Sequence, residues 1–185
     1  YTLTIQLGSN ALALAIVADC NLGARVTAVF SGTLPATYMI SWGDNTTSNG
    51  STTSGILSAQ KTYTACGSYP VDVTVTDPQG TVYLKSGTAV AKRAPSLGAL
   101  TLTQPNPCAT QVQLATTQPT LYCAAPASWR LSWSDGVKAT GAGAPSLTIT
   151  RTLNAAACGT LSATMTITDT NGCVTSATSN VLSVN

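Results

Sequence analysis

The chain contains no histidine and no glutamate. The usual general base at neutral pH is therefore missing. Every Ser-His or Cys-His nucleophile pair is excluded, as is every histidine-containing zinc site. Charge of either sign is scarce, at 8% of 185 residues, where an average globular protein carries about 25%. Apart from the adjacent Lys92 and Arg93, the Lys and Arg residues are scattered singly, and the formal net charge is +2. No basic stripe exists to follow a phosphate backbone, so nucleic acid is not an expected partner. Aromatics amount to 5%, few for a surface that binds sugar by stacking. The apolar run Ala11 to Ala18 is far shorter than the ~20 residues of a membrane helix. It lacks the preceding basic residue of a signal peptide and reads as a strand that is buried on both faces or pairs in the core. The chain begins at Tyr1, as a processed product, a fragment or the ordered part of something larger does.

What is present points to β-structure. Hydrophobic content is 44%, too high for a disordered tail. With so little charge, Thr, Ser, Asn, Gln and Ala must cover the surface, as on extracellular and virion structural proteins. Good exposed-helix formers are rare while Thr and Val abound. Nine Pro and fifteen Gly punctuate the chain at short intervals, the pattern of an all-β protein.

The chain also repeats itself. Trp42-Gly43-Asp44-Asn45, Cys66-Gly67 and Val73-Thr74-Val75-Thr76-Asp77-Pro78-Gln79-Gly80 return as Trp133-Ser134-Asp135-Gly136, Cys158-Gly159 and Met165-Thr166-Ile167-Thr168-Asp169-Thr170-Asn171-Gly172. The offset is 91 residues at the tryptophans and 92 at the cysteines and aspartates, and a period near 90 over several landmarks means two copies of one module. The expected modules are 1–93 and 94–185, joined by the short charged linker Ala91 to Ser96. In module 1, Thr2 to Leu7, Arg25 to Phe30 and Tyr38 to Trp42 read as strands. Tyr69, Val71, Val73 and Val75 alternate with polar residues, so one face is buried and one is wet. Asn45 to Gly55 reads as a polar loop. Module 2 repeats the plan, with strands at 97–103, 111–115, 129–133, 147–152, 161–168 and 174–184.

Six cysteines allow fifteen pairings. In an antiparallel Greek-key sandwich the starts of the second and sixth strands lie at one end. That pairs Cys20 with Cys66 and Cys108 with Cys158. Cys123 and Cys173 fall at the opposite end and form the third bridge. The competing scheme is Cys108–Cys173 with Cys123–Cys158. Disulfides imply an oxidising compartment: a cell surface, the secreted space or a released virion.

These residues resemble the PKD-like branch of immunoglobulin-like sandwiches. The family's Trp-x-Asp-Gly turn is matched by Trp42 to Asn45 and by Trp133 to Gly136. Its Thr-Tyr and Gly-x-Tyr-x-Val segments are matched by Thr62-Tyr63 and Gly67 to Val71, and its Val-Thr-Val-x-Asp-x-x-Gly by Val73 to Gly80. Module 2 has Leu161 in place of the second tyrosine. Its Asp169-Thr170-Asn171-Gly172-Cys173 ending looks like repeats of large bacterial surface adhesins. The resemblance implies two tandem, disulfide-stapled antiparallel β-sandwiches and no single activity.

Candidate site residues follow. Trp42 and Trp133 belong to the core, which leaves Trp129 as the candidate ligand contact. The aspartates of one module lie at opposite ends and form no metal cluster. A cation at the joint between modules would draw on Asp19, Asp44 and Asp169. Asn45-Thr46-Thr47 and Asn49-Gly50-Ser51 are sequons, making Asn45 and Asn49 candidate glycan acceptors in an archaeal or eukaryotic surface protein. The strand over 2–7 is a candidate for donation to a neighbouring subunit. No catalytic residue and no cofactor is expected. The reading is a non-catalytic extracellular module of an adhesin stalk, filament or virion, with other protein subunits, copies of itself, or glycans as partners. The rival is a carbohydrate-binding accessory module of a secreted hydrolase.

Overall fold

Alternation of apolar and polar residues places one face of nearly every segment against a core. In the computed structural model, which describes residues 11–105, 110–153 and 159–184, these segments form sixteen strands and no helix. The expected strand over 2–7 with its donation, and Cys108 and Cys158 with their bridge, lie outside the described residues. Contacts divide the chain into two units, Tyr1–Lys92 and Arg93–Asn185. Arg93 is held within the second unit, its guanidinium 3.8 Å from the centre of the Tyr122 ring.

Unit 1 contains β1 (Leu12–Ala18), β2 (Gly23–Phe30), β3 (Ala36–Ser41), β4 (Thr47–Thr52), β5 (Ile56–Thr62), β6 (Gly67–Thr76) and β7 (Val82–Ala91). One sheet has the order β1-β2-β5 and the other β4-β3-β6-β7, and all pairs are antiparallel. The sandwich closes over Val26, Ile40, Trp42, Val71, Val73 and Val75, all buried. Full burial of each aliphatic side chain contributes roughly 1.5–3 kcal/mol.

Unit 2 contains β8 (Leu100–Thr103), β9 (Gln111–Thr116), β10 (Pro126–Trp133), β11 (Lys138–Ala142), β12 (Thr148–Thr152), β13 (Gly159–Leu161), β14 (Ala163–Asp169), β15 (Val174–Thr178) and β16 (Leu182–Val184). Its sheets run β12-β9-β8 and β11-β10-β14-β15, with β13 paired to β16. Ala163, Met165 and Ile167 fill the positions that Val71, Val73 and Val75 hold in unit 1. The architecture is two tandem immunoglobulin-like antiparallel β-sandwiches.

Three expectations need correction. Asn45 to Gly55 is not a loop: β4 pairs with β3 over six residues, and this pairing, not its composition, makes it a strand. The matching strand β11 was not expected either. The run Ala11 to Ala18 is open on one side, with Val17 68% exposed. The segments 161–168 and 174–184 are each interrupted. Ser179 exchanges hydrogen bonds with the Ala163 backbone. Asn180 then turns its amide to Leu102, accepting from its N–H at 2.7 Å and donating to its carbonyl at 3.1 Å. The side chain thereby imitates a neighbouring strand for β8.

Candidate functional site

The duplicated tryptophan motif makes the β3–β4 turn in unit 1. Gly43 and Asn45 take positive φ values of 77° and 66°, which glycine and asparagine tolerate. Trp42 is buried at the end of the core, and its indole N–H donates to Ser48 Oγ at 2.9 Å. Asp44 accepts from the Thr46 hydroxyl and backbone N–H. Lys61, near the end of β5 in the opposite sheet, reaches Asp44 at 2.8 Å. The Lys61 hydrogen bond, followed by that of Thr46, holds the Asp44 carboxyl down at about 2. Tyr63 is buried beside this pair and donates to the Trp42 carbonyl at 3.0 Å. It stacks on Tyr69 with ring centres 3.9 Å apart. Burial, then the Asp44 charge, pushes the Tyr63 phenol up to about 12.

Unit 2 rebuilds the turn with different atoms. Asp135 closes the β10–β11 turn, and Arg151 near the end of β12 grips it with both guanidinium nitrogens. That hydrogen bonding lowers the Asp135 carboxyl below its ordinary range. The same guanidinium lies 5.0 Å from the Trp133 ring centre. In each unit an Asp on one sheet's turn thus holds a cation from the facing sheet.

The second pair of duplicated aspartates caps the opposite end. Asp77 Oδ1 accepts from the N–H groups of Gln79 and Thr81, and Asp169 Oδ1 from those of Asn171 and Cys173. Both are buried. Asp77 Oδ2 also accepts from the Tyr83 hydroxyl. Unit 2 has Thr175 there, opposite Ile167 as Tyr83 is opposite Val75. No donor among the described residues reaches Asp169 Oδ2.

Cys20, Cys66, Cys123 and Cys173 are all disulfide-bonded. The register that sets Gly23 opposite Thr62 brings the chain at Cys20 toward Cys66. The register that sets Pro126 opposite Asp169 does the same for Cys123 and Cys173.

The remaining candidates separate. Trp129 lies on the core side of β10 with Leu131 and Trp133, half-buried. Its indole covers Gly141 so closely that a Cβ there would meet Nε1 at 2.5 Å. Tyr38 covers Gly50 in the same way in unit 1. Asn45 and Asn49 are exposed, one in the turn and one on β4. Asp19 accepts from the backbone of Asn21 and Gly23, at the rim of an open groove of about 240 Å³ that Arg25, Gln60 and Lys61 also line. Among the described residues, no group of three or more Cys or Asp within either unit can hold a metal ion.

Sequence reasoning missed the cations Lys61 and Arg151 and the glycines Gly50 and Gly141. Arg151 follows Lys61 by 90 residues and Gly141 follows Gly50 by 91, close to the spacing of the repeated landmarks, which marks them as equivalent positions but names no partner for either.

Among solved structures, the chain is similar to the fibronectin(III)-like modules of Clostridium thermocellum CbhA, at 16% identity and a TM-score of 0.48 over 94% of each chain. It is similar to a tetra-tandem repeat in the extending region of a large adhesion protein, at 16% identity and 0.35, covering 94% of this chain and 49% of that one. A Ca2+-stabilized adhesin that helps an Antarctic bacterium reach out and bind ice matches at 15% identity and 0.41, covering 89% and 44%. The likeness is one of fold alone. No protein-family model and no curated protein matches the chain.

Proposed function

We propose that this chain is a non-catalytic structural or adhesive module of an extracellular surface assembly: an adhesin stalk, a filament or a virion decoration. On this reading its two sandwiches are PKD-like, and its partners are other protein subunits or copies of itself. The observation that carries the reading is how the carboxylates are used. Asp44 and Asp135 hold cations, Asp77 and Asp169 hold turn amides, and Asp19 holds its own turn. Five of the six acids therefore maintain shape, and the chain has no histidine or glutamate to act as base. The disulfide-bonded cysteines support an oxidising location. We pair them as Cys20–Cys66 and Cys123–Cys173, with Cys108–Cys158 as the third bridge.

The rival, a carbohydrate-binding accessory module, needs an aromatic platform. It loses support because the indole of Trp129 serves Gly141. Sedimentation and negative-stain microscopy across a concentration series test the assembly role. Fibres, lattices or defined oligomers support it. A chain that stays monomeric throughout, while neutral polysaccharides shift its tryptophan fluorescence, would replace it with the rival.

A further inference from the structure

The two copies keep one core and diverge on the outside. Unit 1 carries four cations (Arg25, Lys61, Lys85, Lys92) and four acids (Asp19, Asp44, Asp72, Asp77), and is neutral. Unit 2 carries Arg93, Arg130, Lys138 and Arg151 against only Asp135 and Asp169. The whole net charge of +2 therefore resides in unit 2. Two of its four cations are engaged, Arg151 with Asp135 and Arg93 on the Tyr122 ring. Asp169 is buried. What remains is Arg130 and Lys138, both exposed and neither in a salt bridge among the described residues.

These two share one surface. Leu131 and Trp133 of β10 point into the core, so Arg130 projects from the outer face of the β11-β10-β14-β15 sheet. Arg130 is opposite Thr140 on one side and Thr166 on the other. Lys138 is opposite Ser132, which makes it a diagonal neighbour of Arg130 at roughly 7–8 Å. Thr164 and Thr166 extend the rows to Thr178 and Ser176, with hydroxyl contacts of 3.0 and 2.8 Å. The face is hydroxylated and cationic, and among the described residues no carboxylate projects from it. The corresponding face of unit 1 is different in kind, carrying Met39, Val82 and Leu84, 45–64% exposed, beside Asp72 on the outward side of β6.

We propose that this outer face of unit 2 binds an acidic polysaccharide, with Arg130 and Lys138 pairing its carboxylate or sulfate groups and the Thr and Ser rows hydrogen-bonding its hydroxyls. Charge complementarity selects an anion. Both backbone edges of β10 are already paired, so an extended acidic peptide could add as a strand only along the outer strands β11 or β15, beside the Arg130 row and not across it. Two free cations are too few for a nucleic-acid backbone, whose binders commonly neutralise about 6–10 phosphates. The rows of hydroxyl donors and acceptors match a ligand that is itself rich in hydroxyls. The proposal rests on the adhesive reading above by supplying the surface to which the module adheres. The two fail separately, because self-assembly does not require this face.

Native electrophoresis of the full chain through gels containing polygalacturonate, dextran sulfate, neutral dextran or polyglutamate tests the proposal. Retardation is expected in one or both acidic polysaccharides, which tells carboxylate from sulfate preference, and not in neutral dextran. Tryptophan fluorescence should stay unmoved, since Trp129 and Trp133 lie on the core side. The double variant Arg130→Ser/Lys138→Ser should weaken retardation roughly tenfold, as loss of two exposed charge contacts implies. Arg25→Ser/Lys85→Ser, with the same net charge, should retain it. Equal loss in both double variants would reduce the effect to net charge and overturn the site. Retardation by polyglutamate as strong as by the polysaccharides would overturn the ligand class. So would the absence of retardation in both acidic polysaccharides.

Discussion

Lys61 Nζ lies 2.8 Å from the Asp44 carboxylate and ties the end of β5 to the turn of the opposite sheet. Arg151 and Asp135 make the corresponding tie in unit 2. A folded-state pKa of about 2 for Asp44 means that the unfolded chain takes up this proton first, near pH 4. The stabilisation is therefore complete above about pH 4 and is lost as pH falls through about 2. Melting temperature followed from pH 5 to pH 2 should drop over that window. In Lys61→Met the drop should be smaller, and stability at pH 5 should be lower.

Tyr63 moves the other way. Its phenol keeps its proton to about pH 12 in the folded state, whereas the unfolded chain loses it near 10. Its contribution is full below about pH 10 and disappears as pH rises through about 12. Ultraviolet titration should show one of the six tyrosines ionising late. Tyr63→Phe should remove that phase and cost about 1–3 kcal/mol in urea denaturation, since the Trp42 carbonyl loses its donor.

Gly141 has a steric reason to be glycine. A Cβ there would meet Trp129 Nε1 at 2.5 Å, an aromatic covering a glycine on an edge strand. Gly141→Ala should cost about 1–3 kcal/mol by overpacking. A red shift of tryptophan emission would accompany it as the indole is displaced toward water.

The turn aspartates separate an acceptor that has its donor from one that lacks it. Asp77 Oδ2 accepts from the Tyr83 hydroxyl, and Asp169 Oδ2 has no described donor. Asp77→Asn should therefore cost about 1 kcal/mol more than Asp169→Asn in urea titrations.

The disulfides close long loops, from Cys20 to Cys66 and from Cys123 to Cys173 in our pairing. Chain-entropy arithmetic gives about 4 kcal/mol for loops of this length. Denaturation with and without reductant should differ by about 2–4 kcal/mol for each bridge. Peptide mapping of the unreduced chain should recover those two linked pairs.

Much of this molecule was legible in its sequence. The alternation of Tyr69 to Val75 announced β6, and its echo at Ala163, Met165 and Ile167 announced β14, because a half-buried strand writes its period of two directly into the chain. The Trp-Asp and Thr-Asp landmarks marked turns because Asp and Gly satisfy turn backbones locally. Strand β4 was not legible. Thr47 to Thr52 has the composition of a loop, and only pairing with β3 makes it a strand. The spacing of Trp129 from Trp133 revealed its face but not the glycine beneath it.

The sequence by itself determined the duplication, the all-β class and the buried face of the main strands. These depend on periodicity and turn chemistry within a few residues. The tertiary structure alone decided which cation each turn aspartate holds, which aromatic covers which glycine, and which cations remain unpaired on an outer face. Those partners sit on different strands, and register across a sheet brings them together.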